Sequence, residues 1–270
     1  MKSAKITAAI ITFNEEKDIA RCLEHLKWAD DIVIVDSFSE DRTVDICKKY
    51  TDKIYQQKWL GFGRQRNHAI HLVDTEWVLC VDADEVVPKE LAEEIREAIN
   101  SNQDFEGYEI RLKNYFLGKP LRFSDQELKI IRLFRTRSGS YEDREVHERP
   151  IVKGKIGKLR NPMMHFGNHI STIWNYMEQA NVYTDLEVQE RLKIKNHQIN
   201  FKWQSASARM RLKYIACYLP FKPVLRFLWI FVLRLGFLDG YRGLLWAMLH
   251  GFILEFLVSA KLYEYKLKRR

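Results

Sequence analysis

Four short apolar runs, each closing on a polar cluster and followed by a helix-patterned stretch, set the terms on which this chain can fold. KITAAIIT (5–12), DIVIVD (31–36), KIYQ (53–56) and EWVLCVD (76–82) carry β-branched and apolar residues, as strands of a buried parallel sheet do. Between the first two, EEKDIARCLEHLKW (15–28) places Ile19, Cys22, Leu23 and Leu26 on one helical face. Asn14 stands before it as the expected N-cap. Gly61 and Gly63 lead to a helix expected near 64–72. Pro88 opens another over 88–99, with Leu91, Ile95, Ala98 and Ile99 on one side. Such alternation predicts an α/β fold: a doubly wound, mostly parallel, Rossmann-like sheet with right-handed crossovers. Ligands in such sheets sit at the carboxyl ends of the strands. Thr12–Glu15, Asp36–Ser39 and Asp82–Glu85 all fall there.

Beyond residue 105 the pattern changes. GYEIRL (107–112) and LKIIRLFR (128–135) read as strands, and the polar SYEDREVHER (140–149) follows. Residues 168–218 are helical and polar in pattern, and 221–267 are rich in Leu, Phe and Trp. The expected organisation is a catalytic domain over 1–167 and a helical C-terminal region over 168–270. Charge divides in the same sense. Residues 1–150 hold 24 basic and 29 acidic side chains, whereas 151–270 hold 20 and 7, a net +13 that implies an anionic partner for the second part. No nucleic-acid motif or stacking platform accompanies that charge, so nucleic acid is not the expected partner. The four cysteines show no metal-ligand spacing. Gly243 to Ala260, the stretch nearest to a membrane span, carries His250 and Glu255, so a simple spanning helix is not favoured.

The chemistry concentrates in DADE (82–85). In extended backbone, positions i and i+2 point the same way, so Asp82 and Asp84 are expected to face one site. Two carboxylates at a strand end suit a hard divalent cation that takes further ligands from substrate phosphates. The competing reading is a solvated acidic turn, with Glu85 favouring the next helix's N-terminus. The motif's place at the end of the fourth strand favours the metal.

ITFNEE (11–16), VIVDSFSEDRT (33–43), GFGRQRNHAI (61–70) and WVLCVDADE (77–85), in this order and spacing, resemble the family 2 inverting glycosyltransferases of the GT-A fold. Within that family the chain most resembles the bacterial β-glucosyltransferases of the lipopolysaccharide inner core. The resemblance implies that Thr12, Asn14 and Glu15 border the nucleoside pocket and that Asp36 bonds the uracil or ribose. Arg64 and Asn67 would lie near the base and diphosphate, with Arg66 a weaker candidate. Asp82 would reach the ribose or the metal's water shell, and Asp84 would ligate Mg²⁺ or Mn²⁺. His165 would be a further metal ligand, with His147 and His169 as fallbacks. The general base is expected in EDREVHER (142–149), Glu148 first, Asp143 second and Glu145 third. Each of these residues also has a plainer role open to it, as a helix cap, a turn former or a surface ion pair.

The expected function is therefore transfer of a hexose, glucose from UDP-glucose, to a lipopolysaccharide core or other envelope glycolipid. Basic, aromatic-rich helices suit an anionic membrane surface, so the expected location is the cytoplasm, peripherally on the inner face of the bacterial cytoplasmic membrane. Packing of these helices on the sheet or on a second subunit is the alternative. Rival functions are sugar transfer to polyprenyl phosphate or a capsule intermediate, and an inactive glycan- or membrane-binding module. A nucleotidyltransferase would want a Gly-rich phosphate loop with Lys or Arg after the first strand, which ITFNEE lacks. Oligomeric state is not legible.

Overall fold

The computed structural model describes residues 3–101, 104–125, 127–143, 149–167, 172–195 and 221–268. The chain divides into two compact units: Met1–Tyr115 with Glu127–Asn168, and Phe116–Gln126 with His169–Arg270.

In the first unit the strands are β1 (Ile6–Thr12), β2 (Asp31–Asp36), β3 (Ile54–Gln56), β4 (Trp77–Asp82), β5 (Glu85–Val86) and β6 (Gly107–Phe116), whose last residue falls in the second unit. After β7 (Lys119–Pro120), which also lies in the second unit, come β8 (Leu128–Arg135), β9 (Gly139–Tyr141), β10 (Pro150–Val152), β11 (Ile156–Lys158) and β12 (Met163–His165). The helices are α1 (Ile19–Glu24), α2 (Thr43–Cys47), α3 (Phe62–His71) and α4 (Lys89–Asn100). The main sheet runs β3-β2-β1-β4-β8-β6-β12-β5. β3, β2, β1 and β4 are mutually parallel, and β8 enters antiparallel between β4 and β6.

Alternation along the central strands explains why both sheet faces are covered. Ile6, Ala8 and Ile10 of β1, with Trp77, Leu79 and Val81 of β4, join the cluster that holds Ile19 and Leu23 of α1 and Leu91 and Ile95 of α4. The intervening Ala9, Ile11, Val78 and Cys80 join Ala69 and Ile70 of α3 and Tyr141 on the other face. Period-2 side-chain direction with apolar residues at both parities leaves no solvent face.

Asn14 is not a helix cap. α1 starts only at Ile19, its N-cap is Asp18, and no side chain caps it. Asn14 instead adopts a left-handed backbone (φ 54°), which Asn tolerates better than most residues. Its Oδ1 accepts the Glu40 N–H at 2.8 Å, which ties the loop after β1 to the loop after β2.

The second unit contains α5 (Ile173–Lys195), α6 (Lys222–Leu228), α7 (Gly240–Trp246) and α8 (Leu254–Leu267). π-helical turns over Trp229–Leu233 and Ala247–Ile253 extend α6 and join α7 to α8. Phe116, Leu121, Tyr176, Ala180, Ile230, Trp246, Ala247 and Leu249 form its core. Gly236–Leu267 contains an 18-residue window of mean hydropathy 1.6, enough for a membrane crossing by length and composition alone. Within that stretch, Glu255 is buried and meets three cations. Lys222 Nζ and Arg226 Nη1 lie at 2.8 Å and Arg191 Nη2 at 3.2 Å. Burial works against the ionised carboxyl, but Lys222, Arg191 and Arg226 outweigh it and hold Glu255 below its ordinary value. A group depressed in this way stabilises the fold above its unfolded pKa, and the contribution is lost as pH falls through the folded pKa.

Glu255→Gln strands three cations around a neutral amide. It should lower unfolding stability by about 3 kcal/mol, the usual scale for breaking a buried pair. Urea melts at neutral pH check this. The difference from the parent should narrow as the medium is acidified.

Candidate active site

Register brings the polar strand ends together. Thr12 pairs with Asp36 across β1 and β2, and Ile11 pairs with Asp82 across β1 and β4. Asp36 and Asp82 therefore close the strands on either side of β1, at the same sheet edge. Asp36 is fully buried and turns the chain locally, accepting the Ser39 N–H at 2.9 Å and the Ser39 hydroxyl. Ser39 Oγ in turn accepts the Asn14 N–H at 2.8 Å, and the Glu15 N–H donates to Thr43 Oγ1 at 2.8 Å. Gln65 on α3 is fully buried and donates to Ser37 Oγ at 3.1 Å and to the Gln57 carbonyl at 3.2 Å. Among the described residues, Gln65 Oε1 and Thr12 Oγ1 are buried without a hydrogen-bond partner. Orphaned polar atoms of this kind cost stability unless something else satisfies them.

The two aspartates of DADE part company. β4 stops at Asp82, and Ala83–Asp84 form a turn into β5, so the extended i, i+2 parity expected from the sequence does not hold. Asp82 is gripped by two guanidinium groups. Arg66 Nη1 and Nη2 contact its two oxygens, Nη2 at 3.1 Å, and Arg132 Nη2 reaches Oδ2 at 2.7 Å. Arg132 Nη2 also meets Glu85 Oε1 at 2.7 Å, while Glu85 Oε2 accepts the Asp82 N–H at 2.9 Å. The four side chains alternate in charge and sum to zero. Burial opposes the Asp82 charge, but Arg132 and Arg66 outweigh it and hold the carboxyl well below the usual range. At Glu85, burial prevails and lifts the carboxyl above its ordinary value.

Arg132 reaches this position through a β-bulge. In the β6–β8 ladder Tyr108 pairs with Leu133 and Glu109 with Ile131, so Arg132 falls between paired positions. Bulges re-aim side chains in this way. Its Nε and Nη1 are buried and have no hydrogen-bond partner among the described residues.

Asp84 turns instead to β12. His165 Nε2 lies 3.2 Å from Asp84 Oδ2, and His165 Nδ1 lies 2.7 Å from Asn114 Oδ1 on β6. With the Asn114 oxygen as acceptor, Nδ1 carries the proton and Nε2 is directed at the carboxylate. Pairing of β12 with both β6 and β5 fixes the geometry, with His165 opposite Asn114 and Glu85. Burial disfavours charge on His165. The adjoining Asp84 carboxylate, helped by Glu85 and Asp82, overcomes it and pushes the imidazole up to about 9. A carboxylate oxygen on the β4–β5 turn and an imidazole nitrogen on β12 are a donor pair that fits a divalent cation. Among the described residues no third His, Cys, Asp or Glu completes a metal cluster.

α3 holds the remaining expected donor contacts, and there the structure shows protein partners. Arg64 makes a two-pronged pair with Asp143, Nε at 2.6 Å and Nη2 at 2.7 Å. Asn67 donates to the Tyr141 carbonyl at 2.9 Å and accepts the Tyr141 N–H at 2.8 Å. Glu145, His147, Glu148 and His169 lie outside the described residues. Sequence reasoning missed Gln65 and Arg132, and ranked Arg66 low. The available signal for Arg132 was a lone cation inside an apolar strand run.

The family profile described as glycosyl transferase family 2 matches residues 7–150. The chain belongs to this family. Its doubly wound, mostly parallel sheet is the GT-A fold, and it is a glycosyltransferase. It is 30% identical to an uncharacterised glycosyltransferase of Rickettsia typhi, over 98% of this chain and 89% of that protein. It is 26% identical to the lipopolysaccharide core biosynthesis glycosyltransferase LpsC of Rhizobium meliloti, over 96% of this chain and 92% of that one. Among solved structures, Staphylococcus aureus TarS (1–349) aligns over 88% of this chain and 89% of that chain, with 16% identity and TM-score 0.45.

The raised His165 pKa gives a signed pH prediction. The Asp84–His165 contribution to stability is fully present below the unfolded value of 6.5 and is lost as pH rises through about 9. In metal-free protein, NMR titration should find the His165 imidazole still protonated at pH 8. Asp84→Asn should return its midpoint toward 6.5.

Proposed function

We propose that the protein is an inverting, divalent-metal-dependent hexosyltransferase. It would move glucose from UDP-glucose to a lipopolysaccharide core or a similar envelope glycolipid. The observation that carries this reading is the shared sheet edge, where Asp36 and Asp82 end strands flanking β1 and the Asp84–His165 pair follows directly. Thr12 Oγ1 and Gln65 Oε1, orphaned beside Asp36, supply the hydrogen-bonding groups a nucleoside would satisfy. The named role of the LpsC relative in core biosynthesis supports the acceptor class.

In this reading Thr12, Asn14, Glu15, Asp36 and Gln65 frame the nucleoside end of the donor. Arg66 and Arg132 keep Asp82 ionised and fixed for the ribose or the metal's water shell. Asp84 and His165 hold Mg²⁺ or Mn²⁺, with Asn114 orienting the imidazole. When bound, the cation supplies positive charge that offsets the charge developing on the leaving nucleoside diphosphate. A carboxylate must take the acceptor hydroxyl's proton, and Glu148 is assigned that role from the family resemblance. Asp143 is the weaker base, because its hydrogen bonds to Arg64 lower its pKa and so its basicity. Holding donor and acceptor in line contributes roughly 7–11 kcal/mol toward the barrier.

The second unit suits work at a membrane surface. Phe221, Trp229, Leu233, Tyr241 and Phe256 are exposed, and the unit's residues, 116–126 and 169–270, hold 18 basic and 8 acidic side chains, a net +10. Glu255 and its cations would be costly at mid-bilayer, which favours a peripheral position on the cytoplasmic face over a span.

Incubating the protein with a panel of nucleotide sugars, with and without Mn²⁺, should release UDP from UDP-glucose and only with metal. Release without metal, or from no donor, overturns the reading. Asn114→Ala should weaken Mn²⁺ binding by about 10–100-fold, as loss of a ligand-orienting partner does. Glu148→Gln should bind donor normally and lose at least about 100-fold in turnover; near-normal turnover would reassign the base.

A further inference from the structure

Arg242, on α7, has a buried Nε with no hydrogen-bond partner, and no carboxylate pairs with it among the described residues. One turn along the same helix face, Trp246 is 4% exposed and its indole Nε1–H is also unpartnered. The carboxylate three residues before Arg242 is unavailable to it. Asp239 accepts the backbone N–H groups of Arg122 (3.1 Å), Phe123 (3.0 Å) and Ser124 (2.8 Å), and the Ser124 hydroxyl as well. That clasp brings the backbone of Arg122, a second arginine with an exposed side chain, to the same corner. The clasp thus joins the segments that carry two cations and two orphaned donors; of their carboxylates, Asp239 is engaged by the 122–124 backbone and Asp125 acts on Tyr176. Phe123, Phe237 and Tyr241 beside them are 38%, 47% and 73% exposed.

A buried donor left unsatisfied costs about 1–3 kcal/mol, and more when it is charged. An oxyanion with several acceptor oxygens would satisfy the guanidinium fork and the indole together. Exposed aromatic rings around such a site favour a ligand with an apolar body. We propose that Arg242, with Arg122 and the Trp246 indole N–H, receives the phosphate group of an amphiphile whose apolar part lies against Phe123, Phe237 and Tyr241. The choice of a lipid-borne phosphate rests on the glycolipid reading above, whereas the anion chemistry does not.

Co-sedimentation of the full chain with phosphatidylcholine vesicles, with and without phosphatidic acid, tests this. Phosphatidic acid should be required. Arg242→Gln should weaken binding by about tenfold or more, the loss of one charge-assisted contact. Arg242→Lys, which keeps the charge and loses the fork, should also bind weakly. Lys268→Gln should bind as the parent does. Diffuse surface attraction predicts the opposite pattern, Arg242→Lys like the parent and Lys268→Gln as damaging as Arg242→Gln, and would overturn the site. So would full displacement of the vesicles by inorganic phosphate, which would make the ligand a free anion. So would parent-like binding by Arg242→Gln. Donor hydrolysis by Arg242→Gln should equal that of the parent. An inactive parent would fail the enzyme reading and leave the vesicle result standing.

Discussion

The first unit is organised around a formally neutral quartet of charges: Arg66, Arg132 and Glu85, which are buried, and Asp82, which is half-buried. Each member comes from a different element, α3, β4, β8 and β5. Charges taken out of water are tolerated only when paired and hydrogen-bonded. The elements that bear them must therefore meet in one arrangement, and the same arrangement sets the edge on which Asp36 and Asp84 lie. The apolar layers above and below the sheet supply cohesion, but aliphatic contacts alone are permissive about detail. The ionic quartet is not.

That division of labour explains what the sequence made legible. Alternating apolar runs announced β1, β2 and β4, because strands buried on both faces need apolar residues at both parities. The polar strand ends followed from chain direction. Asp84 and His165, named as candidate ligands, lie side by side. Contacts that depend on irregular backbone were not legible. The turn at Ala83–Asp84 breaks the parity that would have aimed both aspartates one way, and the left-handed Asn14 serves a loop rather than a helix. Arg132 was hidden because a bulge has no period to read. Gln65 was hidden because a buried amide and a surface amide look alike in a helix.

The second unit follows different rules. Its helices leave many aromatic and aliphatic side chains exposed, and its interior relies on polar clasps. Glu255 gathers Lys222, Arg226 and Arg191, Asp239 holds the 122–124 backbone, and Lys261 Nζ reaches Asn181, Thr184 and Asp185. Each clasp joins segments far apart in sequence, and directional contacts of this kind specify pairing where a broad apolar face does not.

The bulge at Arg132 bears on how the sheet finds its register during folding. β8 runs between two neighbours, exposed at Leu128–Lys129 and buried at Arg132–Phe134, and a strand's register must be fixed for such a pattern to hold. A bulge is a unique mark in an otherwise repeating ladder, and here it carries a cation whose counter-charges, Asp82 and Glu85, stand on other strands. Slippage would separate buried Arg132 and Glu85 and leave each without its counter-charge. The arginine thus acts as a detent, converting a small backbone irregularity into an all-or-none check on strand alignment before the edge that carries Asp36 and Asp82 is complete.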